Sequence, residues 1–205
     1  MTVDPPISEF MRWNENTPLV RGIKWAMARD NPTRVKILEE CLDFAYNQLT
    51  DGRKHNQNFS EDAFNVQLVS VLSSHNIIAT HDEEVGGHCD VLVRAPGNFL
   101  WIGEAKIYRG AGYINGGFLQ LSSRYGASQP SRDHGEIIVY CRWANIVDAL
   151  AKWKEHLSNN FGSITFLDDD EPDPRHFRTM HPCHNTGLPF YVRHRVVPLF
   201  HDPKK

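Results

Sequence analysis

The sequence predicts a mixed α/β (α+β) fold in one domain, and three observations carry that expectation. Two apolar runs, residues 87–94 and 99–108, flank a Pro96-Gly97-Asn98 break, the signature of a β-hairpin. Two other stretches, 31–49 and 59–72, repeat apolar residues at helical spacing. With 205 residues and 40% hydrophobic content, the chain can bury a sizeable core without dividing.

In chain order, residues 1–30 are rich in Pro, Trp and Met, and predict a short helix from Ile7 to Trp13 and little more. Residues 31–49 form a clear amphipathic helix, whose stripe of Val35, Leu38, Leu42, Ala45 and Leu49 must pack on the core or on a second subunit. A polar break at 50–58 separates it from the next helix, which has Ser60 as N-cap and Phe64, Leu68, Val71 and Leu72 on one stripe. Residues 77–85 predict a strand, followed by the hairpin, a glycine-rich bend at 110–117, a helix at 117–125 and an apolar strand at 136–141. Beyond these come a helix at 143–153, a strand at 164–167, an acidic loop at 168–174, and one or two strands within 188–200 at the sheet edge. No internal repeat or linker divides the chain, which reads as an elaboration at 1–58, a core at 59–142 and a C-terminal part at 143–205.

The net charge is −3 and the pI about 6.4, which excludes a protein that coats nucleic acid by bulk electrostatics. Local basic residues do gather after the hairpin, at Lys106, Arg109, Arg124 and Arg132, whereas acids concentrate at 82–84 and 168–171. No apolar run approaches the roughly 20 residues of a membrane span, and the N-terminus has no signal-peptide pattern, so a soluble, cytoplasmic protein is expected. Four cysteines without CxxC spacing predict reduced thiols. The glycines at 110–117 lack the Lys-Ser/Thr ending of a phosphate loop, and no Gly-x-Ser-x-Gly elbow occurs.

The chemistry concentrates on the hairpin. If residues 96–98 form a three-residue loop, Ala95 pairs with Phe99 and Asp90 falls opposite Glu104, with Cβ atoms about 5 Å apart. Alternation puts Lys106 on the same face, while Trp101, Gly103, Ala105 and Ile107 point the other way. A strand apolar on both faces is a buried one, and buried charges are costly unless paired or bound to metal. A Mg²⁺ ion held by one or two carboxylates and by phosphate oxygens resolves the repulsion between the two acids. The bland counterpart is a surface Glu-x-Lys ion pair with a nearby Asp.

Asp90 followed by Glu104-Ala105-Lys106 resembles the motif of the PD-(D/E)XK phosphodiesterases, although Cys89 stands where that motif has its Pro. The resemblance spans roughly residues 59–142 and implies a restriction-endonuclease-like core: a mixed central sheet flanked by helices, here with an N-terminal helical elaboration and C-terminal strands. It implies Mg²⁺ or Mn²⁺ held by Asp90, Glu104, the carbonyl of Ala105 and a helix acid. Glu61, at the edge of the buried stripe, is preferred to Asp62; the alternative is that both acids simply complement the helix dipole. Lys106 and Gln120 would orient the attacking water, Arg109, Arg124, Arg132 and His88 would meet the substrate, and products would carry 5′-phosphates. The members most similar are bacterial defence or restriction-type endonucleases acting on DNA more than RNA. A homodimer through the 31–49 helix and an activating partner or ligand are compatible with this reading. The alternative is a non-catalytic module of the same fold that binds nucleic acid or protein within a defence complex.

One further cluster, His176, His181, Cys183 and His184, has the residue types of a zinc site but supplies only half of the usual paired spacing.

Overall fold

The computed structural model describes residues 6–84, 86–125, 128–169 and 172–203. Helix α1 (Ile7–Trp13) forms where the sequence predicts it. A second helix, α2 (Pro18–Met27), follows where none was expected. Its signal is local: Thr17 accepts from the Val20 amide as N-cap, and Pro18 takes the first turn, where no amide is needed. Helix α3 (Asn31–Asp51) is capped by Asp30, and α4 (Glu61–Ser74) by Ser60, which accepts from the Ala63 amide.

The strand expected over 77–85 is interrupted. β1 (Ile78–Thr80) pairs with the hairpin, the backbone then turns at Asp82 (φ 56°), and β2 (Glu83–Glu84) joins β3 (His88–Cys89) in a separate two-stranded ribbon. Val85 lies outside the described residues. The hairpin itself, β4 (Val91–Ala95) and β5 (Phe99–Ile107), has the expected register, with Ala95 opposite Phe99 and Val91 opposite Gly103.

The glycine-rich stretch is helical rather than bent: α5 (Ala111–Gln120) runs through it and continues as a π-helical turn, Leu121–Tyr125. After β6 (His134–Cys141), helix α6 (Ile146–Asn160) begins later and runs further than the sequence suggests, because Asn145 caps it. β7 (Thr165–Leu167), β8 (His176–Pro182) and β9 (Pro189–Pro198) complete the chain.

Among the described residues, a seven-stranded sheet of order β1-β4-β5-β6-β9-β8-β7 is flanked by six helices. β5, β6 and β9 run parallel, and the outer pairings are antiparallel. The C-terminal strand therefore lies inside the sheet, between β6 and β8, and not at its edge. Burial on both faces requires such a place, since Phe190 and residues 192–197 are all buried.

Each face of the sheet carries its own core. On one, α2, α3 and α4 pack Leu38, Leu42, Phe64 and Leu68 against Trp101, Ile138 and Val197. On the other, α5 and α6 pack Phe118, Trp153 and Leu157 against Ile102, Val139 and Val196. The apolar stripe of α3 is thus buried within the chain, so it does not offer the dimer face considered from the sequence. All four cysteines are buried, and none is in a disulfide. Among the described residues no helix is long and apolar enough to cross a membrane.

Candidate active site

The C-terminal half of β5 carries the site. Alternation sends Ala105 and Ile107 to the α3/α4 core, and Glu104, Lys106 and Tyr108 to the α5/α6 side. Asp90 stands just before β4, where its Oδ2 accepts the Ala105 amide at 2.8 Å. That bond takes the place of a ladder contact and turns the carboxylate toward the strand. Lys106 Nζ is 2.7 Å from Glu104 Oε1 and 3.7 Å from Asp90 Oδ2.

Helix α4 supplies a third carboxylate. Glu61, at its first residue, accepts the Ile107 amide at 2.8 Å and the Tyr113 hydroxyl at 3.4 Å. Of the two acids in that turn, Glu61 reaches β5, whereas Asp62 is exposed. Tyr113 lies on α5, and the Arg109 guanidinium sits over its ring, 5.1 Å from the centroid. Gly117, one turn further along α5, faces Glu104 and Lys106, and Gln120 follows on the same stripe at spacing i+3.

The electrostatics follow from burial and crowding. Burial, and then the charge of Asp90, push Glu104 up to about 7. Burial also raises Asp90, against the pull of the Ala105 amide and Lys106. For Lys106, burial opposes the ammonium, but Glu104, Asp90 and Glu61 outweigh it and hold its pKa above the ordinary lysine value. Lys106 is therefore a cation at neutral pH and suits charge neutralisation or water orientation rather than proton abstraction.

Among the described residues no three or more His, Cys, Asp or Glu side chains are already grouped to hold a metal ion. The donor chemistry is still that of a hard cation: oxygen ligands only, with Glu104 and Asp90 in mutual repulsion around one ammonium. Mg²⁺ needs only one or two protein carboxylates when waters and phosphate oxygens complete its shell.

The remaining sequence candidates are placed as follows. Arg109 is at the rim, through Tyr113. Arg124 is in the π-helical turn, and its side chain lies outside the described residues. Arg132 is not brought to the site: it is bound to Asn98 at the hairpin turn, the opposite end of β5. His88 pairs with Asp82 at 3.0 Å on the β2–β3 ribbon, a separate ribbon from the hairpin, because the strand breaks at Asp90. The zinc-type cluster is dispersed by β8. His176 meets Asp169 on one face, while His181 packs on the rings of Phe118 and Phe190 on the other.

Tyr113 escapes the sequence reading. Its signal is helical spacing, four residues before Gly117 and seven before Gln120, hidden by reading the glycines as a bend. A second charged constellation also escapes it. Glu136 and Arg193 are buried and joined at 2.8–2.9 Å, with Tyr46 donating to Glu136 at 2.8 Å and Asp43 3.2 Å from Arg193. They lie under α3 beside a polar cleft of about 930 Å³.

No protein-family model, curated protein or solved structure matches this chain.

Proposed function

We propose that the protein is a metal-dependent nuclease with a restriction-endonuclease-like core, acting on phosphodiesters of nucleic acid, DNA before RNA. The observation that carries this reading is the convergence of Asp90, Glu104 and Glu61 around Lys106 at the end of one strand. Carboxylates so close, with one of them pushed up to about 7, are unfavourable unless a cation completes them.

In this reading Asp90, Glu104 and the Ala105 carbonyl hold Mg²⁺ or Mn²⁺, and Glu61 holds a further ligand position. The bound ion would polarise the scissile phosphate and acidify water. Lys106, always protonated, neutralises charge growing on the phosphate. Gln120, on the stripe of α5 that faces Lys106, orients the attacking water. Arg109 on its Tyr113 platform contacts the backbone at the rim. Products carrying 5′-phosphates, a bacterial defence or restriction role, a homodimer and an activating partner belong to the same reading.

The test is cleavage of plasmid DNA, linear DNA and structured RNA with Mg²⁺ or Mn²⁺, wild type beside Lys106→Ala and Glu104→Ala. Loss in both variants, with unchanged circular dichroism, supports the site and names the substrate.

A second reading, a non-catalytic module of the same fold, is favoured by one observation: Lys106 already sits 2.7 Å from Glu104, where it neutralises the carboxylate without metal. Calorimetric titration with Mn²⁺ separates the two. Binding abolished by Asp90→Ala supports the enzyme, and no binding supports the module.

A further inference from the structure

The sheet face that carries Glu104 and Lys106 continues past the site. Tyr108 is the next residue on that face, about 7 Å along the strand from Lys106. It borders a second cleft, of about 430 Å³, with Gly110, Trp143, Lys152, His156 and Asn159 among its walls. The volume falls within the range of small-ligand pockets.

The walls are unusual for a surface. Trp143 is 51% exposed, although Cys141 and Tyr140, two and three residues before it, are fully buried. Its position is built, not loose. The Tyr108 ring meets it edge to face at 4.9 Å, and Arg142 just before it is tied to the carbonyls of Asn56 and Phe59. Lys152 stands in the same wall, with a side chain more than half exposed and its ammonium 2.7 Å from the carboxylate of Asp148, itself nearly half exposed. Asn159 and His156 add donors and acceptors along α6.

A half-exposed indole, one cation and an amide side chain match two parts of a nucleotide, the base with its flat face and polar edge, and the phosphate. We propose that this cleft binds one nucleoside 5′-phosphate unit of a nucleic-acid strand, with the base on Trp143 and the phosphate at Lys152. The choice of a nucleotide rests on the nuclease reading above. In that setting the cleft would take a residue of the strand beyond the scissile bond and fix where the backbone crosses β5.

The experiment is a titration of the full chain, in EDTA, with thymidine and adenosine 5′-monophosphates and the parent nucleosides. It follows the backbone amide and indole N–H signals by NMR, in wild type, Trp143→Ala, Lys152→Gln and Glu104→Gln, the affinity of Trp143→Ala being read from the amides of the cleft. Expected are saturable shifts of the Trp143 indole, a loss of affinity of at least about fivefold in Trp143→Ala, and monophosphate binding reduced to the nucleoside level in Lys152→Gln. Glu104→Gln should bind as wild type. The proposal is overturned if no saturable shift occurs, if Trp143→Ala binds as well as wild type, or if Glu104→Gln removes binding. Because these arms need neither metal nor turnover, cleavage without nucleotide binding overturns the cleft alone, and nucleotide binding with neither cleavage nor Mn²⁺ binding overturns the nuclease reading alone.

Discussion

Gly117 lies hard against Glu104: a methyl group placed on Gly117 would stand 3.0 Å from Glu104 Cγ and 3.2 Å from both Lys106 Cγ and Lys106 Cε. Helix α5 can press on the Glu-x-Lys pair only because this residue has no side chain.

Gly117→Ala should therefore displace the pair. Overpacking of about 1–3 kcal/mol is partly offset by about 1 kcal/mol of helix propensity, so the melting temperature should fall little. Cleavage should fall about 10- to 100-fold, the order expected when reacting groups shift by an ångström or less. Gly116→Ala is the control, since nothing lies within 4 Å of its added methyl. It should stabilise the helix and leave cleavage unchanged.

Glu104→Gln removes one charge from a crowded carboxylate set. Without metal at pH 8, thermal unfolding should show it at least as stable as wild type, by on the order of 1 kcal/mol. Added Mn²⁺ should raise the melting temperature of wild type and not of the variant. A variant that gains as much as wild type would remove Glu104 from the proposed metal site.

Tyr113 connects Arg109 to Glu61. Tyr113→Phe keeps the platform and loses only a 3.4 Å hydrogen bond, so Mn²⁺ affinity and KM should change less than about threefold, in line with a weak bond near the geometric limit. Tyr113→Ala frees Arg109 as well, and KM for nucleic acid should rise several-fold at unchanged metal affinity.

The buried pair of Glu136 and Arg193 predicts an asymmetric mutational response. Arg193→Met leaves Glu136 buried without its main cation, at a cost of about 3–5 kcal/mol in denaturant unfolding. Replacing both, Arg193→Met with Glu136→Met, should recover a large part of that loss. A double variant less stable than the single would show that the pair is not the unit.

Burial lowers His181 to about 4, and His194 also titrates well below the ordinary histidine value, so both are neutral in the folded chain. Between the ordinary histidine value, about 6.5, and about 4, the unfolded chain binds protons that the folded chain does not. The stability that this burial of a neutral imidazole contributes is therefore complete above about 6.5 and is lost as the pH falls toward 4, by about 3 kcal/mol from His181 at most. Glu104 and Glu136, both pushed up to about 7, give the opposite slope over this range. The His181 contribution is therefore read as the difference between wild type and His181→Leu in urea unfolding at pH 7, 5.5 and 4.5, a difference that should change in favour of the variant as the pH falls.

The hairpin was legible from residues alone. The Pro96-Gly97-Asn98 turn sets the pairing of Ala95 with Phe99, and period two then places Glu104 and Lys106 together on the face opposite Ala105. Helix α4 was equally legible, because the Ser60 cap and its apolar stripe are local signals. Both depend on neighbours a few residues away, and short-range geometry is what a sequence displays.

Tertiary structure decided the rest. Nothing in its own vicinity says that 189–198 enters the sheet between β6 and β8, since a parallel partner is chosen by burial across the whole molecule. The glycines of 111–117 favour a bend until α5 is packed on the sheet, where Gly117 becomes the only fit over Glu104. Arg132 belongs to the basic segment by sequence, yet the length of β5 carries it to the opposite end from Lys106. The sequence by itself determined the hairpin that sets Asp90 beside the strand of Glu104 and Lys106. Glu61 and Gln120 were named from the sequence as candidates, but only the packing of α4 and α5 on that strand decided that Glu61 reaches the Ile107 amide and that Tyr113 joins it, because contacts between distant segments arise from filling a shared core.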